Sequence, residues 1–466
     1  MAKSNTRIKS QKNSQTKLQL NLVSPQELKL ITAKLRSANQ KFSRLVPGES
    51  SERQPSHTVY GGAQIFAADV ARKMGEAALK HLREFAPSAK DLVEALQIKN
   101  ADLNLWEKVY RRVLAKLESE AVEDFRIDFE DGYGNRPDDE EDGHARQAAL
   151  EVAKGLKNKT LPPFIGIRIK PFNDERFVRS ARTLDIFLQT LVEASQGKLP
   201  EQFVITLPKV QIVEQAIAFE RILSAMEKKL KLRGQSLQCE LMIETPQSIL
   251  GLDGLSPIRS FVDAMNGRCR GMHFGTYDYT AGCNITATYQ TMMNPVCDFA
   301  KHVMQVSLAG TPVMLSDGAT NVMPVAIHRS ERLTAIQVKE NKESVYRAWR
   351  LSYKHIRHSL ETGYYQGWDL HPAQLPIRYA AHYAFFLESF ESASQRLKGF
   401  VEKAAKATLL GDVFDDAATG QGLLNYFLRG MSSGAVTEAE ALETGLSKED
   451  FASRSFLKIL ERRKVL

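Results

Sequence analysis

The chain has 466 residues, 43% of them hydrophobic and 25% charged, with a mean hydropathy of −0.31. These values exclude collagen-like, disulfide-scaffold and wholly disordered chains, and suit a globular protein of two or three units or one long barrel with extensions. The net charge of +8 would suggest a polyanionic partner if it were spread over a folded face. However, Lys3, Arg7, Lys9, Lys12 and Lys17 place +5 in the first 20 residues with no acid among them, leaving only +3 for the rest.

That tail is rich in Ser, Asn and Gln and poor in apolar residues, so residues 1–20 are predicted to be disordered. It lacks the apolar core of a secretory signal. Residues 21–54 are read as an N-terminal segment, with a helix predicted from Ser24 to Ala38 and then a Gly/Ser/Glu loop. Between 55 and 375, short β-branched or aromatic runs alternate with stretches of helical period. The predicted strands are His57–Tyr60, Phe125–Glu130, Phe164–Ile169, Phe203–Leu207, Cys239–Glu244, Arg270–Gly275, Thr311–Leu315 and Gln366–Leu370. Near-continuous apolar runs such as FVITL suit strands buried on both faces of a parallel sheet.

The intervening stripes Ile212, Ala216, Phe219, Leu223, Met226, Leu230 and Val345, Trp349, Tyr353, Ile356, Leu360 each form one apolar helix face. Eight such units predict an α/β protein with a (β/α)8 TIM barrel over 55–375. Residues 376–466 show helical patterns and no clear strand, and read as a C-terminal helical extension. Cys239, Cys269, Cys283 and Cys297 stand apart, with no CxxC pair. This argues against structural zinc and for a reducing, cytoplasmic setting. No run of about 18 apolar residues is present, so no membrane partner is expected.

Barrel chemistry is built at the C-terminal strand ends. There the sequence places Glu130 and Asp131, Arg168 and Lys170, Lys209, Glu244, Asp278, and His371. Glu244 and Asp278 offer hard oxygen donors, which favours Mg²⁺ over zinc. Arg168 has the fork to hold a substrate carboxylate. Simpler readings stand beside these. Asp278 in GTYDYTAG also suits a turn, Lys209 a loop charge, and His371 before Pro372 a histidine satisfied by backbone. The acidic run from Asp138 to Asp142 reads as a helix start, and Gly61-Gly62 is a weak phosphate signal.

Six segments in order, FRIDFEDGYG, GIRIKP, LPKV, LMIETPQ, HFGTYDYTAG and GWDLHPAQ, resemble the superfamily of citrate lyase β-subunits, malyl-CoA lyases and HpcH/HpaI-type aldolases. The resemblance implies Glu244 and Asp278 as ligands to Mg²⁺, with Mn²⁺ an alternative, and Arg168 as the substrate clamp. Glu130 and Asp131 would then position metal-bound water or Arg168; Arg168, Lys209 and Asp131 are expected to be catalytic, and Glu130 and His371 to bind substrate beside Arg168. GDVFDDAATGQGL resembles the family segment that supplies a general acid/base Asp, often from an adjacent subunit; Asp415 is the best match and Asp416 the near alternative. Strand one, HTVYGGA, departs from the lyase pattern, and no adenine- or pantetheine-binding pattern is visible.

The implied activity is a Mg²⁺-dependent carbon–carbon lyase or aldolase acting on a small oxo- or hydroxy-acid, or an acyl-CoA, through a metal-stabilised enolate. The implied assembly is a homotrimer or homohexamer. A malate-synthase-like condensation of an acyl-CoA and a phosphoenolpyruvate-handling transferase are alternatives within the same fold. From another class, the tail could bind nucleic acid beside an inactive barrel; with the rest of the chain near neutral, no nucleic-acid partner is expected.

Overall fold

The computed structural model describes residues 22–402, 408–410, 413–415 and 417–463. The basic tail, residues 1–20, lies outside them. Contacts divide the chain into two units, Met1–Gly48 and Glu49–Leu466. Among the described residues the first holds one helix, Pro25–Leu45, which runs past the predicted end at Ala38. Ser24 caps it by accepting from the Glu27 N–H at 3.2 Å, and Pro25 stands in the first turn, where a missing N–H costs nothing.

The second unit is a (β/α)8 barrel. Its strands are β1 (His57–Gly62), β2 (Asp124–Asp128), β3 (Phe164–Arg168), β4 (Phe203–Leu207), β5 (Gln238–Ile243), β6 (Cys269–Phe274), β7 (Met314–Ser316) and β8 (Gly367–Asp369). All neighbouring pairs are parallel, in the order β7-β6-β5-β4-β3-β2-β1-β8. The sheet closes through the parallel bridge Ala319↔Trp368, with Asp317 N–H on Gln366 O at 2.8 Å and Trp368 N–H on Gly318 O at 3.0 Å. β7 starts three residues later than the predicted Thr311–Leu315, because Pro312 has no N–H for a ladder bond.

Strand alternation sorts the residues. Phe125, Ile127 and Phe129 of β2 and its end join the apolar core, with Phe129 against Phe187 of the helix Phe177–Ala194. Asp124, Arg126 and Asp128 point the other way, into the barrel. Gly166 of β3 is required by close approach, since a Cβ there would lie 1.9 Å from the Val204 carbonyl oxygen.

Inside the barrel the packing is polar. Arg126 bonds Asp124, Glu240 at 2.6 Å and Thr206 at 3.1 Å. Thr58 donates to Asp124 at 2.8 Å. Trp368 Nε1–H donates to His273 Nδ1 at 2.9 Å, so His273 Nε2, 3.0 Å from Glu240, carries the proton it shares with that carboxylate. Every charge in this layer has a partner.

The acidic run does start a helix, Asp138–Asn158, but Glu141 and Asp142 are buried. They pair with Lys170 at 2.8 Å and with Arg179 and Arg182, tying this helix to β3 and the following helix. The C-terminal region continues the unit with helices such as Leu375–Glu388 and Ala417–Ser432. In place of the predicted absence of strands after residue 375, it contains a short antiparallel hairpin, β9 (Thr408–Leu410) and β10 (Val413–Asp415). Three residues a side is too short for period-2 alternation to show in sequence.

Candidate active site

The site lies at the C-terminal ends of β2 to β6. The turn after β2 wraps around Asp128, whose carboxylate accepts the N–H of Glu130 at 3.0 Å and of Gly132 at 2.7 Å. Arg168, at the end of β3, grips the same carboxylate with two donors, Nε at 2.7 Å and Nη2. Its third face, Nη1, is 3.2 Å from Glu130 and 3.7 Å from Asp131. The guanidinium lies over the Tyr60 ring at 4.8 Å. Asp128 and Tyr60 were not singled out from the sequence. The signal for Asp128 was present in the alternation Asp124, Arg126, Asp128, Glu130, which puts all four on one strand face.

Lys209, after β4, adopts a left-handed backbone conformation at φ +53°, an uncommon state for a residue with a Cβ and frequent at functional sites. This turns its N–H onto Glu244 at 2.8 Å. Its ammonium bonds Glu130, approaches Asp131 at 3.2 Å and lies 3.7 Å from Asp278. One lysine therefore joins the ends of β2, β5 and β6.

Glu244 is 1% exposed and makes no ion pair among the described residues. A Cβ on Gly275 would come within 2.5 Å of its Oε2, so glycine is required for the β6 end to close on this carboxylate. Burial first, then the nearby Asp278 charge, push the Glu244 carboxyl up to about 8. Burial and the neighbouring Asp131 push Glu130 up to about 7. Burial would also raise Asp131, but its bond with Glu130 and the charges of Arg168 and Lys209 hold it low. Lys209 stays charged, its partners outweighing burial.

A buried carboxyl with no ion-pair partner among the described residues, next to a second carboxylate, offers the oxygen donors that would suit a divalent cation, which would draw off its proton. Among the described residues no group of three or more His, Cys, Asp or Glu side chains is placed to hold a metal. Glu244 and Asp278 would leave the remaining positions to water and substrate oxygens, the usual habit of Mg²⁺.

Of the residues predicted from sequence, Glu130, Asp131, Arg168, Lys209, Glu244 and Asp278 come together here. Lys170 does not join them, as it bonds Glu141 and the Phe129 carbonyl at 2.7 Å. His371 acts as a cap, Nδ1 accepting the Ala373 N–H at 3.1 Å, and burial lowers its pKa. Asp416 and the side chain of Asp415 lie outside the described residues. Gly61 and Gly62 belong to β1, where a Cβ at Gly61 would strike the Phe125 ring at 2.6 Å; packing accounts for that glycine.

Eight parallel strands with flanking helices and a carboxylate-rich mouth define the class, a (β/α)8 TIM-barrel protein. The chain belongs to the family described as "Domain of unknown function (DUF6986)", whose model matches residues 35–459. A citrate lyase from Burkholderia xenovorans LB400 is similar in structure, with a TM-score of 0.53 and 16% identity over 85% of this chain and 97% of that one. A malate synthase from Haloferax volcanii gives 0.45 and 14% identity over 88% and 99%. The protein CitE from Mycobacterium tuberculosis gives 0.43 and 13% over 81% and 97%. No curated protein matches the sequence.

Proposed function

We propose that the protein is a divalent-cation-dependent carbon–carbon lyase or aldolase for a small oxo- or hydroxy-acid. The observation that carries this is Glu244, a buried carboxyl with no ion pair among the described residues, beside Asp278 and among six segments that resemble the lyase motifs. Mg²⁺ or Mn²⁺ held by these two residues would supply Lewis-acid stabilisation for the oxygens of an oxo-acid.

The chain's own groups do the rest. Glu130, raised toward neutrality and bonded to the Lys209 ammonium, is placed to take or return a proton. Arg168 keeps Nη1 toward this carboxylate while Asp128 fixes the other two donors, so the guanidinium is oriented before substrate arrives. Asp415 as general acid/base in a neighbouring subunit of a homo-oligomer, and a cytoplasmic setting, belong to the same proposal. No helix among the described residues is long and apolar enough to cross a membrane.

The test is Mg²⁺-dependent exchange of pyruvate methyl protons into deuterated water, followed by NMR in the wild type and in Glu244→Ala. Exchange abolished by EDTA and by the substitution supports the reading. Exchange that survives both overturns it.

A further inference from the structure

A cavity of about 400 Å³ opens beside Glu130, Asp131 and Lys209 and extends along the loop after β3. Its other charged walls are Lys170, Glu175 and Arg176. Their electrostatics are uneven. Lys209 is engaged by Glu130 and Asp131, and Lys170 by Glu141 at 2.8 Å. Arg168, at the near side, is gripped by Asp128. Arg176 alone among these cations has no carboxylate within ion-pair distance among the described residues, Glu175 included. Its one side-chain partner is neutral: Nη2 donates to Asn135 Oδ1 at 3.1 Å. Its backbone is held in place as well, the Arg176 N–H bonding Asn173 Oδ1 at 2.9 Å.

A guanidinium oriented by a carboxamide keeps both its charge and most of its fork for a ligand. The cavity joins it to the same carboxylates and lysine that surround the proposed reaction centre. We propose that Arg176 anchors a second anionic group of the substrate, a carboxylate or a phosphate, at the end of the cavity away from Glu244 and Asp278. This rests on the proposed oxo-acid chemistry and narrows it to acids that carry charge at both ends. A planar fork binds such a group through two parallel bonds, each charge-assisted, which lysine cannot reproduce.

The experiment is calorimetric titration of the Mg²⁺-loaded full chain with pyruvate, 2-oxoglutarate, 2-oxoadipate and phosphonopyruvate. It uses the wild type, Arg176→Gln and Glu244→Ala, each checked for an unchanged circular dichroism spectrum. The inference expects at least one dianionic acid to bind about 10-fold or more tighter than pyruvate, and Arg176→Gln to erase that advantage while pyruvate changes less than about 2-fold. Which acid wins tells carboxylate from phosphate. It is overturned if no dianionic acid exceeds pyruvate, or if Arg176→Gln weakens all ligands equally or none. Pyruvate binding that survives both Mg²⁺ removal and Glu244→Ala would instead sink the lyase reading, while the Arg176 ratio would still be measured.

Discussion

Two glutamates four residues apart on the β5 segment face the same barrel interior and end in opposite states. Glu240 sits in the middle layer, where Arg126 at 2.6 Å and His273 at 3.0 Å outweigh its burial and hold its carboxyl far below the usual range. Glu244, at the mouth, is as deeply buried but makes no ion pair among the described residues; burial and the Asp278 charge outweigh the pull of Arg168 and Lys209, and it is pushed up to about 8. The difference is one of completion. The chain satisfies its middle layer from its own side chains, whereas at the mouth the carboxyls of Glu130, Asp131, Glu244 and Asp278 outnumber Arg168 and Lys209, an arrangement that the proposed cation would complete.

The largest effect is expected where the complete layer is broken. Arg126→Met would leave Asp124 and Glu240 buried without their shared cation. It should cost about 3–5 kcal/mol, enough to unfold much of a marginally stable protein, as read by urea denaturation. Unchanged stability would mean that water enters this layer and the contrast with Glu244 is lost.

Next comes completion of the mouth. Mg²⁺ at about 100 times its Kd should stabilise the wild type by about 2.7 kcal/mol and leave Glu244→Gln untouched, as followed by thermal melting. The pH dependence follows from the raised carboxyls of Glu130 and Glu244. A carboxyl whose folded pKa lies above its unfolded value binds its proton more tightly when folded. Its stabilisation is therefore full below about pH 4.5 and is lost as pH rises through about 7 and 8. Without metal, stability should decline across that window. Glu244→Gln should flatten most of the decline and be at least as stable as the wild type at pH 8, because it removes an uncompensated buried charge. The smallest effect belongs to His371→Ala, which removes a cap at about 1 kcal/mol with exchange activity within a few fold. A large loss of activity there would add His371 to the site.

Much of this was legible in the sequence because strand count and strand-end chemistry are local signals. FVITL and FIGIR read as buried strands, and Glu244 stands out as an acid closing an apolar run, with Asp278 marked by the GTYDYTAG segment. The side-chain pairing across strands was not legible. Asp128 sits within FRIDFEDG as one acid among four, and only the register Asp128↔Arg168 shows that it takes two of the arginine's donors. Arg176 escaped for the same reason. Among Asp174, Glu175, Arg176 and Arg179 it reads as a solvated helix start, and its lack of an acid partner is a property of the folded loop.

A divalent cation on Glu244 and Asp278 is proposed to complete the mouth. Titration with Mn²⁺, reading free ion by electron paramagnetic resonance, tests it in the wild type and Glu244→Gln. The account predicts a single Mn²⁺ site per chain, displaced by Mg²⁺ and absent from the variant. Equal binding by both proteins would contradict it.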